Sequence, residues 1–185
     1  MRKLVASFFI SSDGVVQGPG PGDDFALAGW TMPYWDDDIG AFIGAGMAAA
    51  DTLLLGRVTY QGFAAAFASS TGPDAEIMNN YRKYVVSTTL ERAEWHNSSL
   101  ITGNVAEEVA KLKQQPGRDI GISGSGTLVQ SLLRHNLIDE LNLLIYPVVL
   151  GSGKRLFEEG VNLTLKLKQS KTSTSGVLLT TYQVA

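Results

Sequence analysis

Two short segments of the chain combine glycine with hydroxyl or cationic side chains in a pattern suited to anion binding. The first is Ile122-Ser123-Gly124-Ser125-Gly126-Thr127-Leu128-Val129, which reads as a strand end, a Gly-x-Gly turn and a helix start. Such a turn gathers backbone N–H groups and the positive end of a helix at one point, the environment that a phosphate or pyrophosphate needs. A full dinucleotide fingerprint carries a third glycine where Gln130 stands, so a tight turn capped by Ser or Thr is an equal reading of these residues. The second segment is Gly56-Arg57-Val58-Thr59, again between an apolar run and a helical pattern, now with a cation and a hydroxyl. Two such turns on one sheet edge could grip both ends of an extended anionic cofactor, because α/β sheets bind ligands beyond their strand C-termini. Arg57 could then pair with a 2′-phosphate, which favours NADP over NAD; a solvated side chain at a helix start is the alternative.

Other chemistries are poorly supplied. Cysteine is absent and there are two histidines, which removes thiolate nucleophiles, disulfides and cysteine zinc sites and leaves no expected metal centre. His96 lies in a polar connection and His135 at a helix end, and neither has a partner at triad or ligand spacing. Ser123 and Ser125 do not form a nucleophile elbow, since the order is Ser-Gly-Ser-Gly. Gly151-Ser152-Gly153-Lys154-Arg155 lacks P-loop spacing, with Leu156-Phe157 where a magnesium-binding hydroxyl should follow, and is expected to shape a site rim. A net charge of -3 gives no bulk field for nucleic acid or an anionic membrane.

The elements that must position these turns follow from hydrophobic period and punctuation. The chain has 185 residues, 44% hydrophobic and 18% charged, which suits one α/β domain over 1–185. Residues 3–10 are a nearly continuous apolar run and predict a strand in the middle of a sheet; without a small-x-small cleavage site they are not read as a signal peptide. No apolar stretch reaches bilayer length, so a cytoplasmic protein is expected. The Pro/Gly segment 18–22 predicts a mobile loop, a lid over bound substrate. Asp36, Asp37 and Asp38 precede Ile39, Phe42, Ile43 and Met47 and predict a helix over 36–50. Strands are predicted at 52–55, 83–87, 99–102 and 119–123, with helices after Gly56, between Thr102 and Pro116 behind an Asn104 cap, and from Thr127 to Arg134. The tail changes to three strand-like runs, 140–150, 163–171 and 177–184, the last two as a hairpin. A mixed sheet results, with a mainly parallel centre and an antiparallel C-terminal edge.

Five segments then stand in a telling order: Ser12-Asp13-Gly14, Leu54-Leu55-Gly56-Arg57-x-Thr59-Tyr60, Tyr84-Val85-Val86-Ser87, Gly124-Ser125-Gly126-x-Leu128-Val129, and Val148-Val149-Leu150-Gly151-Ser152-Gly153. The set resembles the dihydrofolate reductase superfamily over essentially the whole chain, and within it the reductase half of bacterial bifunctional riboflavin deaminase-reductases. The resemblance implies a dihydrofolate reductase-like, three-layer αβα fold, a homodimer, and NADPH-dependent reduction of a pteridine- or pyrimidine-like ring. By the same resemblance Gly56, Arg57 and Thr59 would hold the pyrophosphate and adenosine side of the cofactor. Ser87 and Thr88 would lie beside the 2′-phosphate, and Gly124, Ser125, Gly126, Thr127 and Leu128 would form the glycine turn at the pyrophosphate. The superfamily's folate enzymes carry an acid on the first long helix; Gly40 stands near that place here, a departure from strict folate chemistry.

Candidate catalytic groups are therefore Asp38, as one of the helix-start acids 36–38, and Asp13, whose Asp-Gly turn would adjoin the nicotinamide in the resembling enzymes. Helix capping and turn formation explain the same acids without catalysis. Trp35 and Gly151 are the candidate substrate contacts, although Trp30, Tyr34 and Trp35 could equally bury aromatic area. The expected activity is NADPH-dependent reduction of a small heterocycle; a binding module that keeps the nucleotide site without turnover is the competing expectation. Reduction of a phosphoribosyl aminouracil would need a second phosphate site, for which Lys154 and Arg155 are the clustered cations at hand.

Overall fold

The computed structural model describes residues 1–185. Strand β1 (Leu4–Ser11) buries Leu4, Ala6, Phe8 and Ile10 on one face and half-buries Val5, Ser7 and Phe9 on the other. It lies in mid-sheet between two parallel neighbours, β5 (Asp119–Ser123) and β6 (Glu140–Tyr146), where helices can cover both of its faces. With β2 (Ala50–Gly56), β3 (Arg82–Val86), β4 (Ser98–Ile101), β7 (Leu165–Thr172) and β8 (Leu178–Val184), the sheet has eight strands in the order β4-β3-β2-β5-β1-β6-β8-β7. The first six strands run parallel, and β8 and β7 close the sheet as an antiparallel hairpin.

Helices cover both faces, giving the three-layer arrangement. Helices α4 (Val105–Gln114) and α5 (Gly126–Arg134) pack Val109, Leu112, Leu128, Val129, Leu132 and Leu133 against β1, β5 and β6. On the opposite face, α1 (Asp37–Ala49) places Ile39 against Leu144 and Leu179. There too α2 (Arg57–Phe67) and α3 (Pro73–Asn80) bring Tyr60 and Met78 onto Leu53, Leu55 and Val85. Local chemistry starts these helices where the sequence says. The Asp36 carboxylate caps α1 by accepting from the Ile39 N–H at 2.9 Å, and Asn104 with Glu107 forms a reciprocal cap on α4.

Three boundaries differ from expectation. The run 140–150 is a strand only to Tyr146, because Pro147 has no N–H to donate and the chain turns there, Ser12 N–H bonding to the Val148 carbonyl at 2.8 Å. Helix α3 carries only Ala75 and Met78 into the core, too few apolar positions to print a period on the sequence. The Pro/Gly segment is tied down rather than loose at its start. Gln17 accepts the Trp30 indole N–H at 2.8 Å through its carbonyl, and Pro19 accepts the Thr31 hydroxyl at 2.7 Å. Parallel strands leave their C-terminal ends on one edge, so Ser11–Gly14, Gly56–Thr59, Ser87 and Ser123–Gly126 all emerge together.

Candidate active site

Strands β2 and β5 are adjacent, with Leu53 opposite Gly121, so the two glycine turns that follow them meet. They touch closely enough to require glycine. A methyl on Gly56 would stand 2.5 Å from the Ser125 hydroxyl, and one on Gly124, whose φ is +93°, would stand 3.2 Å from Thr59. Ser125 itself adopts the left-handed conformation, φ 63°, and its hydroxyl accepts the Leu128 N–H at 3.4 Å to cap α5. Helix α2 begins at Gly56 with no side-chain cap, leaving its first-turn N–H groups for a ligand.

A cleft of about 980 Å³ opens over these turns. Its walls include Gly56, Arg57, Thr59, Gly124, Ser125, Gly126 and Thr127, joined by Lys154 and Arg155 from the loop after β6. Arg57 is exposed and its guanidinium donates to Gln61 at 3.1 Å, a single contact that leaves most of its fork free. Acids share the rim: Asp23, Glu158 and Glu159, with Glu158 paired to Arg134. Uncapped amides, three cations and a long groove fit a pyrophosphate-linked cofactor.

Three expected cofactor contacts sit elsewhere. Leu128 is buried in the core with α5, since its side chain is what fastens the helix to the sheet. Ser87 turns inward to accept the N–H groups of Thr89 at 3.2 Å and Leu90 at 3.0 Å, and Thr88 is exposed beyond the cleft wall. Both follow β3, one strand further along the edge than the paired turns.

A second cavity, about 520 Å³, lies between the sheet and the α1, α2 and α3 layer. Trp35, Phe42, Phe63 and Phe67 form most of its aromatic wall, and Gly40 faces it with the Trp35 ring 3.9 Å from where a methyl would be. The two cavities share a wall of Ser7, Phe8, Phe9, Phe63 and Ser123. Across the floor and on beyond it runs a row of polar residues in register on four neighbouring strands, of which the first three line the cavity: Ser123 opposite Ser7, Ser7 opposite Asn142, Asn142 opposite Thr181. The Thr181 hydroxyl donates to Asn142 Oδ1 at 2.8 Å, and Asn142 Nδ2 donates to the Ser7 hydroxyl at 3.2 Å. Sequence reasoning passed over this row. Its signal was a single polar residue breaking an apolar strand, as Ser7 and Asn142 do, and only registry reveals that the breaks align.

The acids expected as proton donors stand apart from both cavities, each engaged by partners of its own. Asp38 is bonded to Lys171 at 2.5 Å and to the Thr174 N–H and hydroxyl, each at 3.1 Å, which pins α1 to the β7–β8 turn. The Lys171 ammonium and the Thr174 hydroxyl hold its carboxyl below the usual range. Asp13 accepts the Ser11 hydroxyl at 2.7 Å and the N–H groups of Leu150 at 3.1 Å and Gly151 at 2.9 Å, which lowers its pKa to about 2. For Asp36, burial pushes upward, but bonds from the Ile39 N–H and from Ser175 outweigh it and hold the group at about 2. All three carboxylates lie outside both cavities and act as fasteners. Gly151, with φ +73°, gives its N–H to Asp13 and lines neither cavity. Trp35 does line the apolar cavity.

Comparison with known proteins agrees with this architecture. The uncharacterized protein YyaP of Bacillus subtilis is 30% identical over 187 residues, covering 98% of this chain and 94% of its own. Among solved structures, a pyrimidine reductase-like protein from Corynebacterium diphtheriae aligns with TM-score 0.70 at 14% identity, covering 100% of this chain and 92% of that one. Dihydrofolate reductase from Enterococcus faecalis, complexed with NADP(H), aligns with TM-score 0.59 at 18% identity, covering 98% and 94%. The profile of the RibD C-terminal domain matches residues 2–179. With a dihydrofolate reductase-like fold and that match over nearly its full length, the chain belongs to the RibD C-terminal domain family and is an oxidoreductase.

Proposed function

We propose that this chain is an NADPH-dependent reductase of a small heterocycle of the pteridine or aminopyrimidine type, one domain over residues 1–185. One observation carries the reading: a cation- and amide-lined cleft and an aromatic pocket share the wall Ser7, Phe8, Phe9, Phe63 and Ser123. That wall is where a cofactor in the cleft and a ring in the pocket can meet. When bound, the reduced nicotinamide supplies the hydride, which with one proton saturates a C=N or C=O bond as the cofactor is oxidised.

The chain's own part is binding, alignment and exclusion of water. The paired turns at Gly56 and Gly124 and the Arg57 guanidinium hold phosphates, Arg57 being suited to a 2′-phosphate. Phe9 and Phe63 keep the shared wall dry, and fixed orientation there lowers the barrier. Since Asp13, Asp36 and Asp38 stay ionised and outside the cavities, the proton comes from solvent at the pocket mouth or through the Ser7 and Ser123 hydroxyls. We further place the enzyme in the cytoplasm as a homodimer acting on small molecules alone; no helix is long and apolar enough to cross a membrane.

The test is cofactor affinity. Arg57→Ala should raise the Kd for NADPH about tenfold while leaving that for NADH nearly unchanged, the value of one charge-assisted phosphate contact. Gly124→Val should abolish detectable binding. If both variants, correctly folded, bind NADPH as tightly as the parent, the reading fails. If NADPH binds but no pterin or aminouracil causes its oxidation, the chain is a binding module instead.

A further inference from the structure

The aromatic pocket carries more information than its size. Its lining holds no lysine or arginine, and the one ionisable carboxylate in it is Asp74, exposed at the start of α3. The cations near the site, Arg57, Lys154 and Arg155, all line the other cleft, and Arg155 already faces the Asp13 carboxylate at 3.7 Å. A phosphate placed in the aromatic pocket would therefore lose its hydration without gaining a counter-charge, and would face a carboxylate.

The polar row on the floor specifies the rest. Donation runs one way, from Thr181 to Asn142 and from Asn142 to Ser7. The Asn142 amide spends its oxygen on Thr181 and one N–H on Ser7, so its second N–H and the Ser7 hydroxyl proton remain. Two donors, half-buried in mid-sheet and edged by Phe9 and Leu144, complement an acceptor edge on a flat ring: a ring carbonyl or an unprotonated ring nitrogen.

We infer that the substrate of this pocket is an uncharged, unphosphorylated planar heterocycle whose oxo or imine edge is read by Asn142 and Ser7, with Thr181 positioning the Asn142 amide. The inference rests on the reductase reading above and narrows it. It excludes a phosphoribosyl aminouracil as the preferred substrate, the ligand for which Lys154 and Arg155 would have to serve as a second phosphate site.

The experiment measures equilibrium binding to the full chain by tryptophan fluorescence, with NADP⁺ present and its own Kd determined separately. The probes are 7,8-dihydropterin, 5-aminouracil and 5-amino-6-(5-phosphoribosylamino)uracil. At least one of the two uncharged rings should bind no less than about tenfold more tightly than the phosphorylated compound. Asn142→Leu, which removes the donors but keeps the volume, should weaken the preferred ring about tenfold while leaving the NADP⁺ Kd unchanged, because Asn142 lines only the aromatic pocket. Thr181→Val should weaken the ring by a smaller factor, about threefold, consistent with positioning rather than contact. Preference for the phosphorylated compound, or failure of both uncharged rings to bind when NADP⁺ does, overturns the inference and leaves the cofactor reading standing. Failure of NADP⁺ itself to bind overturns both. The comparison of probes uses the unmodified chain, so it holds even if Asn142→Leu does not fold.

Discussion

The two cavities are built by different means. The proposed cofactor cleft is centred on two glycine turns, each at a strand end, brought together because β2 and β5 are neighbours. The aromatic pocket is made of side chains drawn from β1, β2, β5, β6, three helices and the turn before α1. A backbone site needs particular residues at particular spacings, since only glycine tolerates the approach of Gly56 to Ser125 or the φ of Gly124. A side-chain site is assembled from positions far apart in the chain, each unremarkable alone. The first kind of site is therefore readable in a linear sequence and the second emerges only with the fold.

This contrast can be broken at either cavity. Beyond Gly124→Val, the largest effect is expected from Gly56→Val, which drives a side chain into the Ser125 hydroxyl. Overpacking of that kind costs about 1–3 kcal/mol, so NADPH affinity should fall up to about a hundredfold, read by titration alongside Tm. An unchanged affinity would mean that the turns do not form the cofactor site. Next is Gly40→Asp, which introduces an acid where the pocket has space. It should raise turnover of a dihydropterin about tenfold, with a kcat that falls as pH rises through the apparent pKa of the new carboxyl; a flat pH profile would remove Gly40 from the reacting end of the pocket. Phe63→Ala alters the shared wall and should raise both the KM for NADPH and that for the ring several-fold, whereas an effect on one alone would separate the cavities. The smallest effect belongs to Asp36→Asn, which lies outside both. Because the folded Asp36 pKa is depressed to about 2 from an ordinary 3.8, its stabilisation is present above about pH 4 and is lost as pH falls toward 2. The variant should unfold with a shallower dependence on pH in that window, measured by circular dichroism, and keep its affinity for NADPH.

What could be read from residues alone follows the same division. The parallel strands, the capped helices α1 and α4 and the terminal hairpin announce themselves through period, caps and turn residues. Helix α3 does not, for its stripe is two residues wide. Of the expected cofactor contacts, those on the two turns line the cleft, while Ser87, Thr88 and Leu128 show the limit of arguing from strand ends: an end fixes where a residue emerges, not which way its side chain turns. The acids were ambiguous because capping and catalysis ask for the same residue type. Their partners Lys171, Thr174, Ser175 and Leu150 lie more than 130 positions away, beyond any local pattern.

The wall common to both cavities makes their occupants thermodynamic neighbours. Whatever Phe9, Phe63 and the two serines gain or lose when one guest arrives is felt by the other, and linkage requires the effect to be equal in both directions. Whichever factor a guest in the cleft applies to the grip on a guest in the pocket, the second returns to the first, an equality that ties the two affinities together and leaves the rate of the chemical step free.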